Sequence, residues 1–148
     1  MENIVLEPIS FSDIEVLKLT EYRNLSIESK TKLVNDSQKG ICNGNFFRFY
    51  LIKIEKEIVG VLNLFGHGEN KISVAPEIFE NFRRKGLAIK SLSMAYTIAK
   101  ENGFDTVIAG IRKENIASQK LHEKLGFSFV EEFISKSGKL MKRYIKKI

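Results

Sequence analysis

The chain has 148 residues, 43% of them hydrophobic and 28% charged, the balance of an ordinary globular protein and a length that fits one domain over 1–148. Its single cysteine, Cys42, excludes an internal disulfide framework and a cysteine-rich zinc site, and Met1-Glu2-Asn3-Ile4 starts neither a signal peptide nor a membrane span, so a reducing, cytoplasmic setting is expected with no metal and no membrane. The net charge of +6 is lopsided: residues 136–148 carry six Lys/Arg and no acid, leaving 18 residues of each sign elsewhere, so this segment is expected to be a solvated basic edge and nucleic acid is not expected as a partner.

Ile4-Val5-Leu6-Glu7-Pro8-Ile9 opens the chain as a short strand. Ser12 or Asp13 can cap a helix through Ile14, Leu17 and Leu19, and a second helix runs from about Glu28 through Leu33 and Val34 to Ile41. Phe46–Lys53 is aromatic and β-branched, hence a strand. The polar turn Glu55-Lys56-Glu57 leads into a second strand, Ile58–Phe65. Gly66-His67-Gly68-Glu69-Asn70 then turns the chain into a third, Lys71–Phe79.

After Gly86 the period changes to 3.6, with Ala88, Leu92, Ala95 and Ala99 on one face, and Asn102-Gly103 closes that helix. A short buried strand, Thr106–Ile111, follows. Ala117, Leu121 and Leu125 mark the core face of the next helix, which ends at Gly126 before the strand Phe127–Val130. Leu140, Met141, Tyr144, Ile145 and Ile148 have helical spacing, so periodicity alone predicts a helix at the C-terminus. The order describes a mixed α/β (α+β) domain with helices packed on a sheet.

The stretch most suggestive of function is Arg83-Arg84-Lys85-Gly86-Leu87-Ala88, a basic turn opening a helix. N–H groups at a helix start lack intrahelical partners, and the macrodipole favours an anion there. Gly86 removes a Cβ that would keep an anion away, and three cations add attraction at longer range.

In its context, from Ile78 to Ala88, this stretch closely resembles the acetyl-CoA signature of the GNAT N-acetyltransferase family, Gln/Arg-x-x-Gly-x-Gly/Ala between the family's fourth strand and third helix. Asn115-Ile116-Ala117-Ser118 leading to Leu125-Gly126-Phe127 resembles the second hallmark, an Asn-started helix that ends in Leu-Gly-Phe. The Asn-Ile-Ala-Ser form is most similar to the branch that acetylates the N-termini of ribosomal proteins.

The resemblance implies a mostly antiparallel sheet of about six to seven strands with about four helices, splayed between the family's strands four and five. It also implies a C-terminal strand in place of the helix. Acetyl-CoA would lie in the splay as cosubstrate, with its pyrophosphate on Arg84, Lys85, Gly86, Leu87 and Ala88. Arg83 takes the first signature position, and Ala88 replaces a commoner glycine. Eight residues before Gly86, where the family often has Val-x-Pro, stand Ile78 and Glu80. Ile78 is therefore expected to supply main-chain contacts to the acetyl and pantetheine groups. Val74-Ala75-Pro76 has the right letters four residues too early, and Pro76 inside a central strand calls for a bulge.

N-acetylation needs a proton taken from the ammonium, an oxyanion held and a thiolate protonated. His122, seven residues after Asn115, stands where relatives often carry a tyrosine near the CoA sulfur, and is the candidate general acid. With Asn115, Ser118 and Gln119 it shares the helix face away from Ala117, Leu121 and Leu125. Asn115 is read as N-cap and as a contact for the pantetheine arm. A base glutamate five residues before Asn115 would fall on Gly110, so Glu77 is the candidate base, with His67 beside it.

The expected activity is direct ternary-complex transfer from acetyl-CoA to a primary amine. The acceptor is a small molecule or a protein N-terminus, enclosed by residues 13–42 and the turn between the last two strands. Glu21, Glu28, Asp36, Glu131 and Glu132 are there to attract it. The family is also compatible with a homodimer. A non-catalytic acyl-CoA-binding module of the same fold is the alternative, and an RNA- or ribosome-facing use of 136–147 is a third.

Overall fold

The computed structural model describes residues 3–148. Its elements are β1 (Ile4–Pro8), a 3-10 helix (Phe11–Leu19), α1 (Ile27–Lys39), β2 (Ile41–Cys42), β3 (Asn45–Ile54), β4 (Glu57–Gly66), β5 (Lys71–Ile78), a 3-10 turn (Glu80–Phe82), α2 (Leu87–Glu101), β6 (Thr106–Arg112), α3 (Ile116–Lys124), β7 (Ser128–Ile134) and β8 (Leu140–Lys147). One sheet runs β1-β3-β4-β5-β6-β8-β7, antiparallel except for β5 beside β6, and the two-residue β2 pairs with β3. The strand count is therefore eight, the last of them this two-residue addition.

Strand alternation divides the core in two. Tyr50, Ile52, Leu62, Leu64 and Ile72 face α2, whose Leu87, Ala95 and Ala99 are buried against them. Phe49, Leu51 and Val61 point the other way, onto Leu17 of the 3-10 helix and Val34 of α1. Each face of the sheet thus carries its own helical layer.

The first helical segment is 3-10 and not α, and it begins one turn earlier than its sequence suggests. The Asp13 carboxylate accepts from both the main-chain N–H and the hydroxyl of Ser10, at 3.0 and 2.9 Å. Asp13 thus serves the cap from inside the helix, and Ser10 is the N-cap. The second helix starts on Ser26, whose Oγ accepts from Ser29 N at 3.1 Å, and ends at Gly40, so Ile41 belongs to β2.

On α2 the buried stripe is Leu87, Ser91, Ala95 and Ala99: Ala95 and Ala99 are as predicted, and in the first two turns the stripe runs one residue earlier than predicted. Ala88 and Leu92 lie on its flank, half-buried. The larger departure is α3. Ala117 and Leu121 are exposed, and the buried residue is Gln119. Its Nε2 donates to the carbonyls of Arg112 and Lys113, at 3.2 and 2.7 Å, and ties α3 to the end of β6. A buried amide with both bonds made anchors a helix as an apolar residue would.

At the C-terminus the chain forms β8, held between β6 and β7, as the family resemblance implied and the periodicity did not. The basic residues here are mostly engaged. Lys142 and Arg143 lie over the rings of Phe129 and Phe133, at 5.4 and 4.2 Å, and Arg143 also pairs with Glu131. Lys147 Nζ donates to Thr106 Oγ1 at 2.8 Å, and Lys146 to the Leu125 carbonyl. No helix among the described residues is long and apolar enough to cross a membrane.

Candidate active site

The site begins where the sheet comes apart. β5 and β6 pair only at Lys71/Thr106 and Ile72/Val107. β5 stays in register with β4 to Ile78/Gly60, and Phe79 N still donates to Val59 O at 2.9 Å. His67 N donates to Lys71 O at 2.8 Å, so odd-numbered residues of β5 bond to β4 and even-numbered ones point their main-chain groups toward β6. Past Ile72 the even residues are Val74, Pro76 and Ile78, and β6 has already turned away.

This placement accounts for Pro76 without a bulge. The ring replaces an N–H that would have pointed into the gap, so no bond to β4 is lost. The register of β5 against β4 is uninterrupted. Opposite Ile78, Gly60 is a steric necessity: a Cβ there would lie 2.3 Å from the Glu77 carbonyl.

Three cavities converge on Pro76. On the α2 side a cavity of about 470 Å³ lies between Ile78 and the basic turn, with Arg83, Arg84, Gly86, Ala88 and Leu121 on its walls. It adjoins an apolar slot of about 160 Å³ in the splay, walled by Val74, Leu92, Ile108, Leu121 and His122 among others. On the α1 side a cavity of about 340 Å³ is lined by Glu21, Tyr22, Arg23, Asn63, Glu77 and Arg83. Pro76 lines all three, and Glu77 lines the first and third.

The basic turn has the geometry of an anion cradle. Gly86 is the N-cap of α2 with φ +72°, and Arg84 also has positive φ, +66°. No side chain caps this helix and its first turn holds no acid, so the N–H groups of Leu87, Ala88 and Ile89 remain open to a ligand. A non-glycine residue in the left-handed region at such a turn is the kind of local strain that collects at functional sites. Lys85 Nζ sits 5.9 Å over the Phe82 ring. Arg83 donates from Nε to the Ile78 carbonyl at 2.9 Å, which bolts the turn to the end of β5.

Asn115 caps α3, its Oδ1 accepting from Ser118 N at 3.0 Å. His122 is half-buried, and its ring stands edge-on to Phe127 at 5.0 Å. Its Nδ1 lies 2.8 Å from the Ser118 carbonyl, which can only accept, so Nδ1 carries the hydrogen and Nε2 is the nitrogen left for proton exchange. His122 therefore faces the splay together with Leu121, which was predicted to lie on the opposite, core-facing side.

Glu77 is half-buried on the α1 face, and its Oε1 accepts from Glu21 N at 3.1 Å. His67 is exposed in the β4–β5 turn, with Nε2 2.9 Å from Ser73 Oγ, and does not line the cavities around Pro76. Six residues separate its pairing partner Lys71 from Glu77, about 20 Å of strand, so the structure sets His67 apart from the site. Of the other acids expected around the acceptor, Asp36 pairs with Lys32, Glu131 with Arg143 and Glu132 with Lys113; only Glu21 lines this cavity.

Two participants went unrecognised in the sequence. Asn63 is the one polar residue in the run Ile58–Phe65, and that interruption was the available signal. Its Nδ2 donates to Tyr22 Oη at 2.8 Å. Burial first, and then the Glu21 and Glu77 carboxylates, push the Tyr22 phenol well above its usual range. Tyr22 thus keeps its proton. Among the described residues no group of three His, Cys, Asp or Glu side chains could hold a metal.

Comparison with known proteins agrees with this fold. The spermidine N-acetyltransferase of Vibrio cholerae in complex with CoA and spermine superposes with a TM-score of 0.77 at 17% identity, over 97% of this chain and 95% of that one. The same enzyme in complex with manganese ions gives 0.77 and 17%, over 97% and 92%. A chimera of the Vibrio cholerae enzyme and hSSAT gives 0.75 and 16%, over 97% and 94%. At that identity these likenesses establish the fold. No protein of curated function matches. The family model described as acetyltransferase (GNAT) domain matches residues 4–128, most of the chain. The chain therefore belongs to the acetyltransferase (GNAT) family and is an N-acetyltransferase.

Proposed function

We propose that the protein moves an acetyl group from acetyl-CoA directly to a primary amine, a small molecule or a protein N-terminus, within one ternary complex. The observation that carries this reading is the meeting of the cavities at Pro76, the larger cavity and its slot on one side of β5 and the third on the α1 side. Donor and acceptor can then approach across β5 with no covalent enzyme intermediate. Cys42, the lone thiol, packs with the α1-face cluster and is absent from these cavities.

The donor pyrophosphate is assigned to Arg84, Lys85, Gly86, Leu87 and Ala88, with Arg83 beside it. The pantetheine arm is assigned to the slot, along Leu121; Asn115, which caps α3, is absent from its lining and is proposed as a contact for the arm on the family resemblance alone. Its thioester carbonyl would take the main-chain N–H of Ile78, which points into the gap and matches a developing oxyanion. The acceptor ammonium gives a proton to Glu77, and the neutral nitrogen attacks the carbonyl carbon. When the C–S bond breaks, the nitrogen's second proton goes to the Glu77 carboxylate, which has by then released the first to bulk solvent, and the sulfur gains a proton from Nε2 of His122, which enters as the imidazolium and is left neutral, giving acetamide and free thiol.

Two measurements test this. A thiol-release assay with acetyl-CoA should show release only when an amine is present, across a panel of amino acids, polyamines, aminoglycosides and Ser- or Ala-ended peptides. Silence across that panel with acetyl-CoA bound would favour the binding-module alternative. His122→Phe keeps the packing on Phe127 and removes the proton donor. It should lower kcat about tenfold or more and leave acetyl-CoA affinity within about twofold. Wild-type kcat in that variant would make His122 a packing residue.

A further inference from the structure

We infer that the acceptor is a zwitterion, a small amine that carries its own carboxylate, and not a linear polycation. The inference rests on the α1-side cavity being the acceptor site. That cavity is charge-balanced: its walls carry two carboxylates, Glu21 and Glu77, and two guanidinium groups, Arg23 and Arg83, together with Tyr22 and Asn63. A site built for a chain of ammonium groups needs carboxylates along its length and no fixed cation.

The polar groups are held in place before any ligand arrives. Glu77 is fixed through Oε1 by Glu21 N at 3.1 Å, leaving Oε2 for an ammonium. Arg23 is steadied by one bond, from Nη1 to the Thr20 carbonyl at 3.2 Å, and its remaining N–H donors match a carboxylate. Tyr22 accepts from Asn63 at 2.8 Å, which fixes the phenol on the wall of the cavity beside the two carboxylates, so the carboxylate of the acceptor is assigned to Arg23. At about 340 Å³ the cavity is of the size that takes a small molecule.

The experiment compares kcat/KM for matched pairs that differ only by a carboxylate: alanine and ethylamine, phenylalanine and phenethylamine, lysine and cadaverine, with spermidine as the polycation. At least one amino acid should exceed its decarboxylated partner and spermidine by about tenfold or more. Arg23→Glu, at an exposed position, should remove that preference and raise activity toward cadaverine and spermidine, while Arg23→Lys keeps most of it. Acetyl-CoA affinity should be unchanged in both. Wild-type preference for spermidine or cadaverine that shifts with Arg23→Glu would overturn the zwitterion and retain the cavity as acceptor site. Turnover indifferent to Arg23→Glu and to Tyr22→Phe would overturn the placement of the acceptor itself.

Discussion

Gly86→Glu is expected to abolish acetyl-CoA binding in a protein that still folds. Gly86 holds φ +72° at the start of α2, and a Cβ placed there meets no atom within 4 Å. The cost to the fold is then the left-handed backbone alone, about 1–2 kcal/mol. The cost to the ligand is much larger. A carboxylate would sit on the open N–H groups of Leu87, Ala88 and Ile89, fill the anion site and repel a pyrophosphate. A loss of about 100-fold or more in affinity is expected by calorimetric titration, with a circular dichroism spectrum like the wild type. Gly86→Ala carries the same backbone strain without the charge, so it should retain measurable binding. Equal loss in both variants would assign the effect to backbone conformation.

Glu77→Gln is expected to lower kcat by about 100- to 10,000-fold, the range for removal of a general base. The amide oxygen can still accept from Glu21 N, so the link between β5 and the segment before α1 survives the change. Acetyl-CoA affinity should therefore hold. Activity should recover as pH rises toward the pKa of the acceptor amine, because an amine already neutral needs no base. A variant with wild-type kcat and an unchanged pH profile would take Glu77 out of the proton path and leave it a structural acceptor for Glu21.

Local rules reached most of the architecture because most elements carry their own signals. Ser26 and Gly40 bracket α1, Gly103 and Gly126 follow α2 and α3 at positive φ, and β3 and β4 are long apolar runs. The anion cradle was legible for the same reason: glycine, cations and a helix start are contiguous. Failures came where a neighbour decides the outcome. β8 lies between two strands and covers its aromatic neighbours with lysine and arginine stems, so its apolar residues need not alternate. On α3, Leu121 is 46% exposed because it borders the splay, and Gln119 is buried because Arg112 and Lys113 offer carbonyls. A hydrophobic residue that lines a ligand cavity has the same periodicity as one in the core. Tyr22, Asn63 and Glu77 are distant in sequence and meet only because β4, β5 and the turn after the 3-10 helix converge.

The location of the donor admits a direct measurement. A larger cavity, about 700 Å³, lies on the other side of the cradle, between Phe82, Lys85 and the β3–β4 turn at Glu55–Glu57. Amide nitrogen–proton shifts recorded as acetyl-CoA is added separate the two places. Donor in the splay predicts the largest shifts at Arg84–Ile89, at Val74 and Ile78 on β5, and at Leu121 and His122 on α3. Shifts confined to Glu55–Val59 and Lys85, with Val74, Ile78 and α3 unmoved, would contradict it.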